Sequence, residues 1–571
     1  MGSPPLNHDL ASAGRLRESR SMRAPLLRSP AFPGADATVS RLTANPEGVP
    51  DDHAIAALFA TIREARVGGC FWAPAADAQG AIVIVRARTV DDIDAVSARV
   101  DRPALWLLPA AQVNRKDVKA RIGEAGSTEN IDPWSLFDGK VELFAHGDDE
   151  WAALAVIAGC PVQLLSAGRF GEPEMDTAAL ERRIARDLIG TAYRDPYTGE
   201  HIGIAAAIDI LADWRRTFEA NRGIVAGCGF SWWKRREIAR FLWTPAHPLR
   251  FFHSERRAIA HAARSGGAIA VWPSRVSAGM SRAAAARGVA LVRVEDGFVR
   301  SVGLGSNLVP PASIAVDRLG IHYDPGAPSD LETLLANATF PSALLARAER
   351  LRATIVTAGI SKYGSNGDNA LPARQPGRRL VLVPGQVEDD RSVLLGGGGL
   401  TSNLELLRRA RALEPDAEIW FRPHPDVDAG HRKGAVRDSD ALRHADHVVR
   451  GGGMAQLLDR VDAVHVLTSL TGFEALLRGR QVTCHGTPFF AGWGLTLDLG
   501  DVPGRRGRML TIDQLIAAVL ILYPRYLDPV SGMPCPPEVL IGRMIAGAFR
   551  NRLDWVTRLR QLQGRLTKAR A

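Results

Sequence analysis

From residue 221 onward the apolar positions fall in short, β-branched runs separated by longer stretches in which apolar residues recur at helical spacing. Short apolar runs bounded by turn residues predict buried strands, and their alternation with helices predicts parallel sheets of an α/β protein. The first set of strands is expected at Gly223–Ala226, Ala268–Trp272, Ala290–Val294 and Ser313–Val316. A second set follows at Leu380–Val383, Glu418–Phe421, His447–Val449, Ala463–Leu467 and Gln481–Cys484. Between them, the Lys-, Gly-, Asn- and Pro-rich stretch from Ser361 to Gly377 reads as a linker. The expected architecture is two facing Rossmann-like domains, 221–375 and 376–535, in which ligands bind beyond the carboxyl ends of the strands.

Upstream, the pattern is partly repeated. Ala155-Val-Ile-Ala-Gly159-Cys-Pro-Val162 aligns without gaps on Ala475-Leu-Leu-Arg-Gly479-Arg-Gln-Val482, and Tyr193-Arg-Asp195-Pro196-Tyr-Thr-Gly199 matches Tyr526-Leu-Asp528-Pro529-Val-Ser-Gly532. Two matches in the same order predict a duplicated module. The first copy, 46–220, lacks both a Glu-Asp-Gly and a His-Pro, so it reads as a reduced, degenerate α/β module that kept the shape of a lobe and lost its chemistry. Residues 1–45, rich in Arg and Pro and without an apolar core, read as a flexible lead rather than a secretory signal.

Composition changes this picture little. The chain is 46% hydrophobic and 23% charged, and no run reaches the ~18 apolar residues of a membrane span. Its five cysteines are scattered without a CxxC pair, which argues against a disulfide framework or zinc site and for a reducing cytosol. Charge adds one constraint. At +9 the chain suits an anionic ligand, a nucleic acid or an anionic membrane, but neither a Cys/His finger nor an aromatic RNA-binding signature favours nucleic acid.

The chemistry-bearing residues gather at predicted strand ends. Arg422-Pro423-His424-Pro425-Asp426 follows the strand Glu418–Phe421, and the flanking prolines fix the backbone. An imidazole held there can donate to a phosphate oxygen, with Arg422 as an added cation, or simply cap the next turn. Thr468-Ser469 closes the strand Ala463–Leu467 ahead of a helix, and hydroxyls at a helix N-terminus suit a phosphate as well as they suit N-capping. Glu474, placed in about the first turn, can accept from ribose hydroxyls or favour the helix dipole. Glu295-Asp296-Gly297 ends the strand Ala290–Val294, and adjacent carboxylates suit a general base of raised pKa or a solvated acidic turn. Across the expected cleft lies the acidic cluster Gln386-Val-Glu388-Asp389-Asp390-Arg391-Ser392, ahead of the Gly396–Gly399 run; a second carboxylate facing the first is what retaining glycosyl transfer requires. No metal-ligand cluster is evident, so neither metal nor cofactor is expected.

Together the segments VEDGFVRSVGLGSNLVPPASIAVDRLGIHYDPGAPSDLE, ISKYG, VPGQVEDDRSV, FRPHPD, TSLTGFEALLRGRQVTCHGTPFFAGWGLT and YPRYLDPVSG resemble the bacterial capsule-polysaccharide Kdo transferases of the KpsC type, in family order over residues 221 to 535. They also show a wider kinship with bacterial two-Rossmann sialyltransferases. The resemblance implies a GT-B-type fold and transfer of 3-deoxy-D-manno-oct-2-ulosonic acid (Kdo) from CMP-Kdo, with retention, to a lipid-linked Kdo acceptor in the cytoplasm at the inner membrane, beside the capsule export machinery. It implies Asp390 as nucleophile, Glu295 as base with Asp296 beside it, His424, Thr468 and Ser469 on the CMP phosphate, and Glu474 on the ribose. Arg391, Lys362 and Arg300 are candidates for the basic group beside the sugar's carboxylate. Proteins of this type carry two full modules, so the reduced first module implies that this chain makes one of two linkages. An inverting, sialyltransferase-like enzyme and a non-catalytic subunit that binds lipid-linked glycan are the competing readings. Residues 536–571 form a basic, amphipathic stretch suited either to an anionic membrane or to docking as a last helix.

Overall fold

The computed structural model describes residues 24–35, 38–42, 51–78, 80–123, 125–137, 139–245, 248–299, 310–360 and 371–548. Arg300, Lys362, most of the expected linker and the basic stretch beyond 548 lie outside the described residues.

Strand alternation explains the core of the C-terminal half. In Leu380–Pro384, Leu380 and Leu382 leave one face of the sheet, where they join Trp420, Val464, Phe473 and Phe490. Val381 and Val383 leave the other, where they meet Ile419, Phe421 and the apolar side of the helix Asn403–Leu413. A strand buried on both faces must be covered by helices on both, which is why its sequence is apolar throughout. The resulting six-stranded sheet is parallel, in the order His447–Val448, Glu418–Arg422, Leu380–Pro384, Ala463–Val466, Gln481–Cys484 and Leu497–Asp498. Its chain order reverses at Leu380–Pro384, and the crevice beside that strand is where such a sheet takes a ligand.

A seven-stranded sheet precedes it: Arg250–Phe252, Ile224–Cys228, Ala268–Val271, Leu291–Asp296, Ser313–Asp317, Pro524–Leu527 and Pro534–Cys535. Each strand predicted from residue 221 onward is present in one of the two sheets. Two features differ from the expectation. Ser313–Asp317 runs antiparallel to Leu291–Asp296, pairing Ala315 with Glu295 and Ile314 with Asp296, an arrangement that needs no crossover helix. Secondly, the chain returns through the helix Ile512–Ile516 and the π-helical turn Ala517–Leu522 to lay Pro524–Leu527 on Ser313–Asp317, with Ser313 opposite Tyr526. The last strands before residue 535 therefore complete the first sheet rather than the second. Tyr523 Oη fixes the return by donating to Asp317 Oδ2 at 2.9 Å.

The chain divides into two units, Met1–Arg222 with Thr244–His247, and Gly223–Trp243 with Pro248–Ala571, the second holding both sheets described above. The first unit has a parallel five-stranded sheet, Gly126–Thr128, Ala104–Leu108, Val83–Arg86, Glu142–Ala145 and Val162–Leu164. Its winding is that of the six-stranded sheet: first strand central, the next two to one side, the following two to the other. The repeated sequences occupy matching places. The helix Glu150–Ala158, left-handed Gly159 and strand Val162–Leu164 parallel Leu470–Leu477, left-handed Gly479 and Gln481–Cys484. Asp195 accepts from Tyr197 N and Thr198 N as Asp528 accepts from Val530 N and Ser531 N, each turn closing on a left-handed glycine, Gly199 or Gly532. Ser40–Leu42 pairs with Thr191–Arg194 so that Ser40 faces Tyr193, as Ser313 faces Tyr526. Residues 24–35 and 38–42 are accordingly not the flexible lead expected: Leu26, Leu27 and Val39 are buried, and Ser40–Leu42 is a paired strand. At the other end, Pro537–Ile545 forms a helix with Leu540 and Ile541 in the core.

Candidate functional site

Three loops of the six-stranded sheet leave from the same edge, because its strands are parallel. The loop after Leu380–Pro384 begins with Gly385, whose N–H donates to Arg422 O at 2.7 Å. A Cβ there would stand 3.3 Å from both Arg422 O and His424 N, tighter than an ordinary contact, so glycine eases the close approach of the two loops. Gln386 follows, buried. Its backbone exchanges hydrogen bonds with the Asn403 side chain, and its side-chain Oε1 accepts from Thr468 N at 3.0 Å. Gln386 therefore fixes Thr468, a role the sequence did not single out. Asp390 then caps the helix Arg391–Gly396, Oδ1 accepting from Ser392 N at 3.0 Å and from Ser392 Oγ at 2.8 Å.

In the second loop His424 is the N-cap of the short helix Pro425–Asp428, and Nδ1 accepts from Asp426 N at 3.2 Å. A neutral ring that accepts at Nδ1 carries its proton on Nε2, so the cap leaves the other nitrogen a donor. Capping and ligand binding are thus compatible here. Arg422 is placed otherwise than as the phosphate's cation: its guanidinium donates to Gly452 O at 3.0 Å and to Gly451 O, and binds the loop that follows His447–Val448. Burial lowers its pKa.

The third loop delivers Thr468 and Ser469 to the N-terminus of the helix Leu470–Leu477. Ser469 Oγ accepts from Thr471 N at 3.3 Å as the N-cap. Glu474 is buried and stands in the second turn rather than the first, because the helix starts at Leu470. Gly396, at the end of the Asp390-capped helix, lies against this loop: a Cβ on it would be 3.0 Å from Thr468 Cγ2 and 3.5 Å from Tyr323 O.

From the seven-stranded sheet come Glu295 and Asp296, the last two residues of Leu291–Asp296. Burial, then the neighbouring Asp296, raise the Glu295 carboxyl to about 7; Lys234 opposes this and Asp390 adds to it. Asp296 instead has a cation, Lys234 Nζ, at 3.0 Å from Oδ1. Tyr323 Oη is buried without a well-formed hydrogen bond, and its hydroxyl is pushed up by burial and by Glu295, with Arg391 acting against them. Glu295, Asp390, Tyr323 and Arg391 thus share one electrostatic neighbourhood. Lys234 and Tyr323, like Gln386, were missed by the sequence reading; the only signal for Lys234 was its place just after a predicted strand, in Trp232-Trp233-Lys234. Among the described residues no group of three or more His, Cys, Asp or Glu is arranged to hold a metal ion. No described helix is long and apolar enough to cross a membrane.

A carboxyl of raised pKa at one strand tip shares its neighbourhood with a carboxylate from the other sheet, which also sets an imidazole donor and a helix N-terminus at its strand ends. That set suits transfer of a group from a phosphate leaving group to a hydroxyl acceptor. Residues 267–526 match the family described as capsule polysaccharide biosynthesis protein. The chain is 41% identical over 358 residues to the capsule polysaccharide modification protein LipA of Neisseria meningitidis serogroup A, covering 61% of this chain and 50% of that one. It is 46% identical over 241 residues to the lipopolysaccharide-processing protein LpsZ of Rhizobium meliloti, covering 42% and 54%. A solved structure, the beta Kdo 2,7 transferase of Thermosulfurimonas dismutans KpsC, aligns with 33% identity over 57% of this chain and 99% of that one, at a TM-score of 0.47. The chain spans about half the length of the curated relatives it matches. The stretch that carries Glu295, Asp390, His424 and Ser469 is the one that matches the capsule polysaccharide biosynthesis family.

Proposed function

We propose that the chain is a retaining glycosyltransferase that moves Kdo from CMP-Kdo to a lipid-linked Kdo acceptor during capsule linker synthesis, in the cytoplasm at the surface of the inner membrane. One observation carries the reading. Asp390 and Glu295, from different sheets, share a neighbourhood in which Glu295 is held near neutrality, while His424 and the Ser469-capped helix stand at the adjoining strand ends. In the first step an Asp390 carboxylate oxygen bonds to the anomeric carbon of Kdo, and the CMP phosphate departs with the bonding pair. His424 Nε2–H and the N–H groups of the helix Leu470–Leu477 stabilise the charge on that phosphate. In the second, the acceptor hydroxyl gives its proton to Glu295, bonds to the anomeric carbon and releases Asp390. Glu474 takes the ribose hydroxyls. No metal takes part in either step.

One observation favours a second reading. Asp390 Oδ1 is engaged in capping, as a purely structural aspartate's would be, and in an inverting enzyme Asp390 needs no other role. The test uses wild type and Asp390→Ala with CMP-Kdo and a short Kdo-lipid acceptor. The expected outcome is a wild-type product of retained configuration, a Kdo adduct trapped on Asp390, and a loss of at least about a thousandfold in the variant. An inverted product, or an active Asp390→Ala enzyme, would falsify the double displacement.

A further inference from the structure

We infer that Lys234 is a positioning residue for this reaction: seated on the Trp272 ring and bonded to Asp296, it holds the acidic pair so that Glu295, not Asp296, serves as the base. The inference rests on the transferase reading for its chemistry but not for its geometry.

The strand Ile224–Cys228 is followed by a 3₁₀ turn, Trp232–Lys234, which brings Lys234 to the tip of a strand two places away in the sheet. The side chain is 9% exposed, and a nearly buried ammonium is costly without partners. It has two kinds. Nζ lies 3.0 Å from Asp296 Oδ1, and 3.5 Å from the centroid of the Trp272 ring, with Trp233 further off at 5.2 Å. The ring holds the cation by its π face and leaves its hydrogens to point at the carboxylate. Without such a partner, two adjacent carboxylates on a strand end share protons indifferently. With it, the pair becomes unlike: the ammonium holds Asp296 as the anion and tempers the rise that burial and that anion impose on Glu295. Among the described residues, the charged and titratable groups around Glu295 are Asp296 on its own strand, Lys234 from the 3₁₀ turn, Asp390 at the cap of the helix Arg391–Gly396, and Tyr323, with Arg391 beside it, from the loop after Ser313–Asp317.

Lys234→Met removes the cation, Lys234→Arg keeps it, and Asp296→Asn removes the anion. The full-length protein, labelled at glutamate carboxyl carbons, is titrated by NMR, with Glu295→Gln assigning the resonance; the pH profile of kcat/KM for CMP-Kdo is measured in parallel. Glu295 should titrate about one pH unit higher in Lys234→Met, near wild type in Lys234→Arg and lower in Asp296→Asn, with the acid limb of kcat/KM following and KM for CMP-Kdo changing less than about twofold. Should Lys234→Met fail to fold, Asp296→Asn against wild type decides alone. A Glu295 titration unmoved by Asp296→Asn or Lys234→Met overturns the inference. If wild type transfers no Kdo while the carboxyl titrations still move in opposite directions, the functional reading fails and the positioning role stands.

Discussion

At the scale of single residues, the site works through small asymmetries. His424 is a donor at Nε2 because Asp426 N–H occupies Nδ1, and the Glu295 carboxyl is raised to about 7 because burial and Asp296 disfavour its charge. The sign for activity follows directly. Glu295 must be deprotonated to accept a proton, so kcat/KM should rise with pH through about 7 and level off above it; a profile flat from pH 5 to 8 would contradict this. His424→Ala should lower kcat/KM for the donor by roughly a hundredfold to a thousandfold, which initial-rate measurements check. His424, the acidic pair, Asp390 and Ser469 were all legible in the sequence, since each is set in a short run of chain-fixing or chain-ending residues. Lys234 and Gln386 were not. Their partners, Asp296 and Thr468, lie 62 and 82 residues away, and no local pattern encodes a pairing at that separation.

Among elements, the predicted strands emerged because doubly buried strands write themselves as unbroken apolar runs. Pro524–Leu527 escaped prediction because Pro-Arg-Tyr-Leu is short, begins with proline and alternates polar with apolar residues. A different kind of link ties the helix Asp330–Asn337 to the loop at Arg505 and Arg506: buried Glu332 accepts from both guanidinium groups. Glu332→Ala strands buried Arg506 without its carboxylate and should cost about 3–5 kcal/mol, measurable by denaturant unfolding. Beneath the phosphate-side loop, His465 on the strand Ala463–Val466 meets His485, Nδ1 to Nε2 at 3.1 Å, and burial lowers both to about 4. Both rings are neutral in the folded protein at pH 7, whereas unfolded histidines titrate near 6.5. Stability should therefore hold above pH 6.5 and fall as pH drops from 6.5 through about 4, a loss that His465→Phe with His485→Leu should lessen in acid-unfolding curves.

Across the whole molecule, the first unit repeats the winding of the six-stranded sheet but not its motifs. Where Thr468 and Ser469 introduce the helix Leu470–Leu477, the first unit sets Asp148 and Asp149 before Glu150–Ala158. Asp149 receives Arg86 Nε at 3.1 Å, and Asp148 pairs with Arg88 at 2.8 Å. A carboxylate at that cap repels a phosphate, and the arginines are already engaged. Calorimetry of CMP binding to the full chain should accordingly saturate at one equivalent, with His424→Ala abolishing it; two equivalents would show a second working site. The repeat was readable because its turn and glycine positions survived. The missing motifs were readable in the sequence, whereas the ion pairs that stand in their place are visible only in three dimensions.

The return of the chain to Ser313–Asp317 has a practical consequence. Because Pro524–Leu527 supplies that strand's outer neighbour, any fragment cut after the first sheet, near residue 360, ends with an unsatisfied row of backbone amides and carbonyls. Such an edge recruits other chains. Isolated fragments carrying this sheet without Pro524–Leu527 should precipitate or swap strands, and dissection of this protein for expression has to respect the order in space rather than the order in sequence.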